Sequence, residues 1–366
     1  MRLLMISGDR NLVRGKMGAF YNTLEEFHRY WDRIDIICPN VGDDKKNLNF
    51  FGNVFVHPSP WPLVFQPRWI LKKGTELFKE VKFDLITVHE YPPFYNGLGT
   101  RLLWNSIRVS YVLEIHHIPG YPRSANLKEE LYKNFMRIFI EWDASKAKAV
   151  RVVNQGQVPS FLTSSGIPKE KILYIPSVYL DQDVFRPLDL PKEYDLIFIG
   201  RLEKNKGLDL FLEVVKKLNC KAVIVGDGTL KNYCKLKIEN WKLQDKVLLY
   251  GWAKGPKEIA ELLNKSKILV MPSYNEGGPR VVVEAMACGV PVLATPVGIV
   301  PDLLKNGLGG AIITWAPDDI ARQIKGLLDD PERYQKLSRQ AVNAAGQFEK
   351  KEAIKNYVER LQALIR

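Results

Sequence analysis

Short apolar runs recur along the chain, interleaved with stretches in which apolar residues return every three or four positions. The runs fall at 3–7, 33–38, 54–57, 82–89, 110–115, 149–154 and 172–175, then at 196–200, 221–225, 246–250, 267–272 and 290–295. They are short and scarcely alternate, which predicts strands buried on both faces. Helical periodicity is clearest over 18–29, where Phe20, Tyr21, Leu24 and Phe27 share a side, and over 126–144, 207–218, 229–241, 255–264, 281–287, 320–328 and 350–366. Strand and helix in alternation predict an α/β fold with parallel sheets. Between 179 and 194 the pattern lapses into two prolines and several acids, which reads as a linker. Three regions follow: a Rossmann-like domain over 1–180, a second over 190–345, and a closing helical segment over 346–366. In doubly wound sheets ligands bind beyond the carboxyl ends of the strands. That places the chemistry in the turns that follow the runs, including His89 and His116.

One stretch, 58–74, fits no period. Its prolines forbid a regular strand, and Trp61, Phe65 and Trp69 precede Lys72 and Lys73. A proline-rich loop entering a surface helix accounts for it; a patch that meets a membrane surface is the alternative.

Composition narrows the class without naming a reaction. The chain has 366 residues, enough for two cores, with 46% hydrophobic and 26% charged residues, as in globular proteins. The net charge is +12, spread evenly: 1–186 holds 25 Lys+Arg against 19 Asp+Glu. No basic tail or nucleic-acid-binding motif accompanies it; solubility is the bland reading, anionic substrates or an anionic membrane surface are the sharper ones, and nucleic acid is not expected. Cys38, Cys220, Cys234 and Cys288 lack metal or redox spacing and read as reduced residues of a cytoplasmic protein. The N-terminus reads as a first strand rather than a signal peptide, and no apolar stretch reaches membrane-spanning length.

Two constellations carry chemistry. Gly200-Arg201-Leu202-Glu203-Lys204-Asn205-Lys206-Gly207 lies between a strand and a helix. Two cations beside a helix N-terminus suit a pyrophosphate, Arg201 as a fork and Lys206 as a point charge. The second, 272–298, holds Glu276, Gly277 and Gly278 in a loop, then Pro279 as a first helical residue, then Glu284 on an otherwise apolar helix. An acid on such a face is costly unless something pairs with it. Glu284 could accept ribose hydroxyls and Glu276 sugar hydroxyls; a capping acid and an ion pair are the bland alternatives.

Residues 272–298 resemble the Glu-x7-Glu signature of retaining glycosyltransferases of the GT-B fold, family 4 type. The strand-turn-helix through Arg201 and Lys206, and the stretches Val225-Gly226-Asp227-Gly228 and Leu249-Tyr250-Gly251, are similar to the same family. The resemblance implies two doubly wound domains facing across a cleft, the last helix crossing back to the first domain. It implies a hexose-type sugar passing from a UDP-, GDP- or ADP-sugar to a saccharide or lipid-linked hydroxyl with retained anomeric configuration. Residue by residue, Arg201 and Lys206 would hold the diphosphate, Glu284 the ribose, and Glu276 the sugar, with Gly277 and Gly278 N–H groups nearby. Gly251 and Trp252 would lie by the base. His116, or its neighbour His117, would touch the sugar, and Gly18 would admit close backbone approach. Neither cofactor nor metal is implied, and peripheral attachment at the inner face of a membrane is compatible with it.

Departures fall at Gly278-Pro279, at Arg280, which would add a cation to the donor or face solvent, and at 177–181. Two other readings use the same fold: a non-catalytic sugar-nucleotide binding module, and an epimerase or phosphorylase-like enzyme. A nicotinamide-dependent oxidoreductase would need Gly-x-Gly-x-x-Gly after the first strand, and 8–18 lacks it.

Overall fold

A computed structural model describes residues 1–16, 18–42, 48–304 and 307–365. The chain divides into two compact units: one of 1–117, 134–177 and 351–366, the other of 118–133 and 178–350. This differs from the boundaries read from sequence, because 118–133 groups with the second unit.

The first unit holds an eight-stranded sheet. Its strands are β1 (Arg2–Ile6), β2 (Arg33–Cys38), β3 (Asn49–Phe50), β4 (Val54–Pro58), β5 (Leu85–His89), β6 (Tyr111–Ile115), β7 (Ala149–Val152) and β8 (Ile172–Tyr174). They lie in the order β3-β4-β2-β1-β5-β6-β7-β8, parallel except for β3. Every residue of β6 and β7 is buried, as their near-continuous apolar sequence predicts. The accompanying helices are α1 (Ala19–Phe27), α2 (Gln66–Val81), α3 (Tyr95–Ile107), α4 (Leu127–Ala144) and α5 (Gln157–Ser164). The first residues of α4, to Lys133, belong to the second unit. Helix α2 starts inside the 58–74 stretch, where Trp61 and Trp69 pack edge to face at 5.7 Å and Trp69 donates to the His57 carbonyl.

The second unit is a six-stranded, wholly parallel sheet in the order β11-β10-β9-β12-β13-β14. In chain order it runs β9 (Tyr194–Ile199), α6 (Leu208–Leu218), β10 (Ala222–Val225), α7 (Lys231–Asn240), β11 (Val247–Gly251), α8 (Pro256–Asn264), β12 (Ser266–Met271) and α9 (Arg280–Ala287). Then come β13 (Val292–Ala294), α10 (Val300–Leu303), β14 (Gly310–Ile312), α11 (Pro317–Leu328) and α12 (Pro331–Ala345). Pro279 caps α9 rather than opening it. Apolar cores fill both faces of the sheet, around Phe198 and Phe211 on one and Met271 and Met286 on the other. From β9 the chain winds outward to β11 and returns to the other side of β9 with β12. The switch point where ligands gather in such sheets therefore lies between β9 and β12.

The last helix, α13 (Lys350–Gln362), joins the first unit from Lys351 onward. Tyr357 on it donates a short hydrogen bond to Glu114, Arg360 reaches the Tyr174 carbonyl, and Gln362 that of Tyr30. The two chain segments that leave the second unit are tied to each other: Leu180 N–H bonds Phe348 O at 2.6 Å, and Lys350 N–H bonds Leu180 O at 3.0 Å. All four cysteines are free, and no described helix is long and apolar enough to cross a membrane.

Candidate active site

The carboxyl ends of β9 and β12 border a cavity of about 190 Å³ lined by Gly200, Lys206, Ser273, Glu276, Pro279 and Arg280, among others. Both constellations read from the sequence therefore meet at one switch point. Lys206 is carried on the turn before α6, whose N-cap is Gly207 at φ +70°. A Cβ there would stand 2.1 Å from the Pro272 carbonyl oxygen, so only glycine lets the turn lie against the β12 loop. Gly298 does the same from the far side, facing the Gly277 carbonyl oxygen at φ +55°.

Lys206 Nζ lies 2.5 Å from Glu276 Oε1, which also accepts from Ser273 Oγ at 3.0 Å. Both charges are largely withdrawn from solvent, so their mutual neutralisation is what allows them there. Arg201 is exposed, and its guanidinium has no hydrogen bond or close ion pair among the described residues, with Glu203 as a charged neighbour. Arg280 lines the cavity with its guanidinium 4.1 Å above the Tyr179 ring, so it does not simply face solvent. Glu284, one turn into α9, keeps a little accessible surface, and its carboxylate has no hydrogen-bond partner among the described residues. Burial lifts its carboxyl to about 7, against a smaller pull downward from Arg280. A hydroxyl donor would favour its charged form.

The loop that carries Glu276 is fixed from several sides. Trp315 Nε1 and Thr295 Oγ1 both donate to the Ser273 carbonyl, at 2.9 and 2.6 Å, and Tyr274 N–H bonds Asn205 O at 2.8 Å. Fully buried Asn275 donates to the Arg123 carbonyl at 3.0 Å and to Glu129 Oε2 at 2.8 Å. Arg123 lies over the rings of Tyr274 and Trp315. The 118–133 segment thus clamps the residue next to Glu276. None of Ser273, Asn275, Arg123, Glu129, Thr295 or Trp315 was singled out from sequence. Only Asn275, a polar residue between Tyr274 and Glu276, gave any local signal.

Other expected residues do not line this cavity. Gly251 ends β11 at φ +85° with Trp252 exposed beside it. Gly277 is buried and Gly278 half-buried within the loop. In the first unit, Gly18 precedes α1 in extended backbone with open space where a Cβ would go, so the protein's own packing does not require glycine.

His116 follows β6. Its Nε2 is 3.4 Å from Glu114 Oε2, and its ring lies 4.6 Å from that of His89. Burial, and then the neighbouring His116, push His89 down to about 3, so His89 is neutral at physiological pH. Glu114 is buried against Arg151 at 3.2 Å, and the guanidinium stacks on Tyr357 at 3.8 Å. These contacts hold the Glu114 carboxyl well below its usual range although burial opposes that. Among the described residues, no group of three or more His, Cys, Asp or Glu could hold a metal ion.

Residues 181–344 match the family model described as Glycosyl transferases group 1. An uncharacterized glycosyltransferase of Methanocaldococcus jannaschii is 26% identical over 319 residues, covering 83% of this chain and 84% of its own. Among solved structures, sucrose-phosphate synthase of Thermosynechococcus elongatus superposes with a TM-score of 0.83 at 16% identity, covering 100% of this chain and 99% of that one. The Anabaena protein HepE, in complex with UDP and glucose, does so at 0.78 and 19% identity, covering 99% and 100%. The chain has the GT-B fold, and the protein is an enzyme of the glycosyltransferase class.

Proposed function

We propose that the enzyme is a retaining hexosyltransferase that uses a nucleotide-diphosphate sugar as donor and a hydroxyl of a saccharide or lipid-linked saccharide as acceptor. The observation that carries the reading is the Lys206–Glu276 pair on the cavity at the β9/β12 switch point. An ammonium has three donors, so Lys206 can keep Glu276 oriented while it binds a phosphate oxygen. Glu276 then receives the sugar hydroxyls, and free Arg201 meets the second phosphate. Glu284 takes the ribose, whose hydroxyls supply the donors it lacks, and Gly251 and Trp252 border the base. The presence of UDP and glucose in HepE supports a uridine donor among the candidates.

Transfer follows as front-face attack, in which the leaving phosphate takes the acceptor proton. Arg201 and Lys206 stabilise the charge that develops on the diphosphate. That assigns the charge to side chains rather than a metal, so a chelator leaves the rate unchanged. His116 is assigned contact with the sugar on the family resemblance alone. The test is the anomeric configuration of the product from an α-linked donor, read by proton NMR coupling. An α-linked product supports the reading; a β-linked product, or turnover that needs no acceptor, refutes it.

A further inference from the structure

Helix α4 has an outward face unlike that of a surface helix. Its inward positions Met136, Ile140 and Ala144 are buried, as its period predicts. Phe135, Ile138, Phe139 and Trp142 recur at i, i+3, i+4 and i+7 on the other side, and Ile138 is 71% and Phe135 51% exposed. Helix α3 continues the surface with exposed Leu98 and Leu102. The two helices are locked together here. Phe94 stacks on Phe139 at 5.1 Å, and Arg101 bonds the Trp142 carbonyl at 3.1 Å and Ser145 Oγ at 2.8 Å. Contiguous exposed apolar surface of this kind marks an interaction site rather than ordinary scatter.

Its charge says what covers it. Over 94–110 and 134–148 the cations are Arg101, Arg108, Arg137, Lys146 and Lys148. The acids are Glu141 and buried Asp143 alone. Arg101 lies over the Trp142 ring at 5.0 Å, and Arg108 over that of Trp104 at 4.4 Å. Apolar side chains ringed by cations and amphipathic tryptophans match the boundary of an anionic bilayer. A second copy docked face to face would set like charges against each other.

We propose that this α3/α4 face docks the enzyme on an anionic lipid surface. Docking is placed there rather than on the 58–74 stretch, whose tryptophans pack on each other. The proposal is independent of the donor site and is measured without turnover.

The test is co-sedimentation of the full chain with phosphatidylcholine vesicles, with and without phosphatidylglycerol. The wild type is expected to bind only the anionic vesicles, and less at high salt. Ile138→Asp and, separately, Lys146→Glu with Arg137→Glu should weaken binding at least tenfold with unchanged melting temperature and nucleotide-sugar response. Val64→Ser with Phe65→Ser, two exposed residues of the 58–74 stretch, should bind as wild type. Three results would each overturn the proposal: no wild-type binding to anionic vesicles, undiminished binding by Ile138→Asp, or a wild-type dimer that Ile138→Asp dissolves without any effect of lipid.

Discussion

The two units bury charge for opposite ends. In the second, charged groups gather at strand ends around a cavity and are incompletely satisfied: the Arg201 and Glu284 side chains have no hydrogen-bond partner among the described residues, and Lys206 and Glu276 have mainly each other. In the first, the charges beneath the last helix lie inside the packing and are tied off. Arg151 touches Glu114, stacks on Tyr357 and donates to the carbonyls of Ile175 and Pro176. The exception is Glu90 beside Asp143, where burial raises both carboxyls and neither Asp143 oxygen has a hydrogen-bond partner. Unfinished electrostatics mark a place for a ligand; completed electrostatics mark a joint. The Glu114–Arg151–Tyr357 cluster is such a joint, since it holds α13 to β6 and β7.

Breaking the joint should have the largest effect on stability. Arg151→Met strands the Glu114 carboxylate in the core and should cost roughly 3–5 kcal/mol. Urea melts would show it, and the added change Glu114→Gln should restore part of the loss. An unchanged midpoint would mean that the cluster is not the fastening.

Breaking the clamp should be milder and should act on rate. Asn275→Ala leaves Glu129 Oε2 and the Arg123 carbonyl without this donor, a loss of about 1–3 kcal/mol. Glu276 then loses its fixed position, so kcat should fall more than donor affinity does. A melting shift with unaltered kcat would make Asn275 structural only.

The smallest effect concerns Glu284 and follows from the raised carboxyl. Because the folded protein holds this proton more tightly than the unfolded chain, stability contributed by the group is present at low pH. It is lost as pH rises from about 4.5 through 7. Glu284→Gln should therefore stabilise the ligand-free protein above pH 7 by on the order of 1 kcal/mol, while weakening donor binding. In the wild type, donor affinity should rise with pH up to about 7, where Glu284 becomes charged. Titration calorimetry across that range would show it; a flat wild-type profile would remove Glu284 from the ribose.

The same contrast explains what could be read in advance. Both sheets, most strands and the placement of Arg201, Lys206, Glu276 and Glu284 beyond the ends of β9 and β12 were legible, because the turns that follow strands are written in short local spacings. Helix α3 was not, since Gly97 and Gly99 interrupt its pattern. The structure gives their reason: a Cβ on Gly97 would strike the Glu90 and Asp143 carboxylates, and one on Gly99 would strike Ile70 and Pro67 of α2. The clamp was illegible because Arg123 and Glu129 stand about 150 positions from Asn275. Nor could the sequence tell that the acid in β6 and the arginine in β7 would meet. Pairing of that kind is decided by strand order, which no local spacing encodes.

The most direct measurement is the rise in melting temperature that UDP-, GDP- and ADP-sugars produce in the wild type and in the Arg201→Ala, Lys206→Ala double variant. A donor at a hundredfold excess over its dissociation constant should stabilise the wild type by about 2.7 kcal/mol. The same concentration should leave the folded double variant unmoved. Equal stabilisation of both proteins by one nucleotide sugar would contradict a donor site at the β9/β12 switch point.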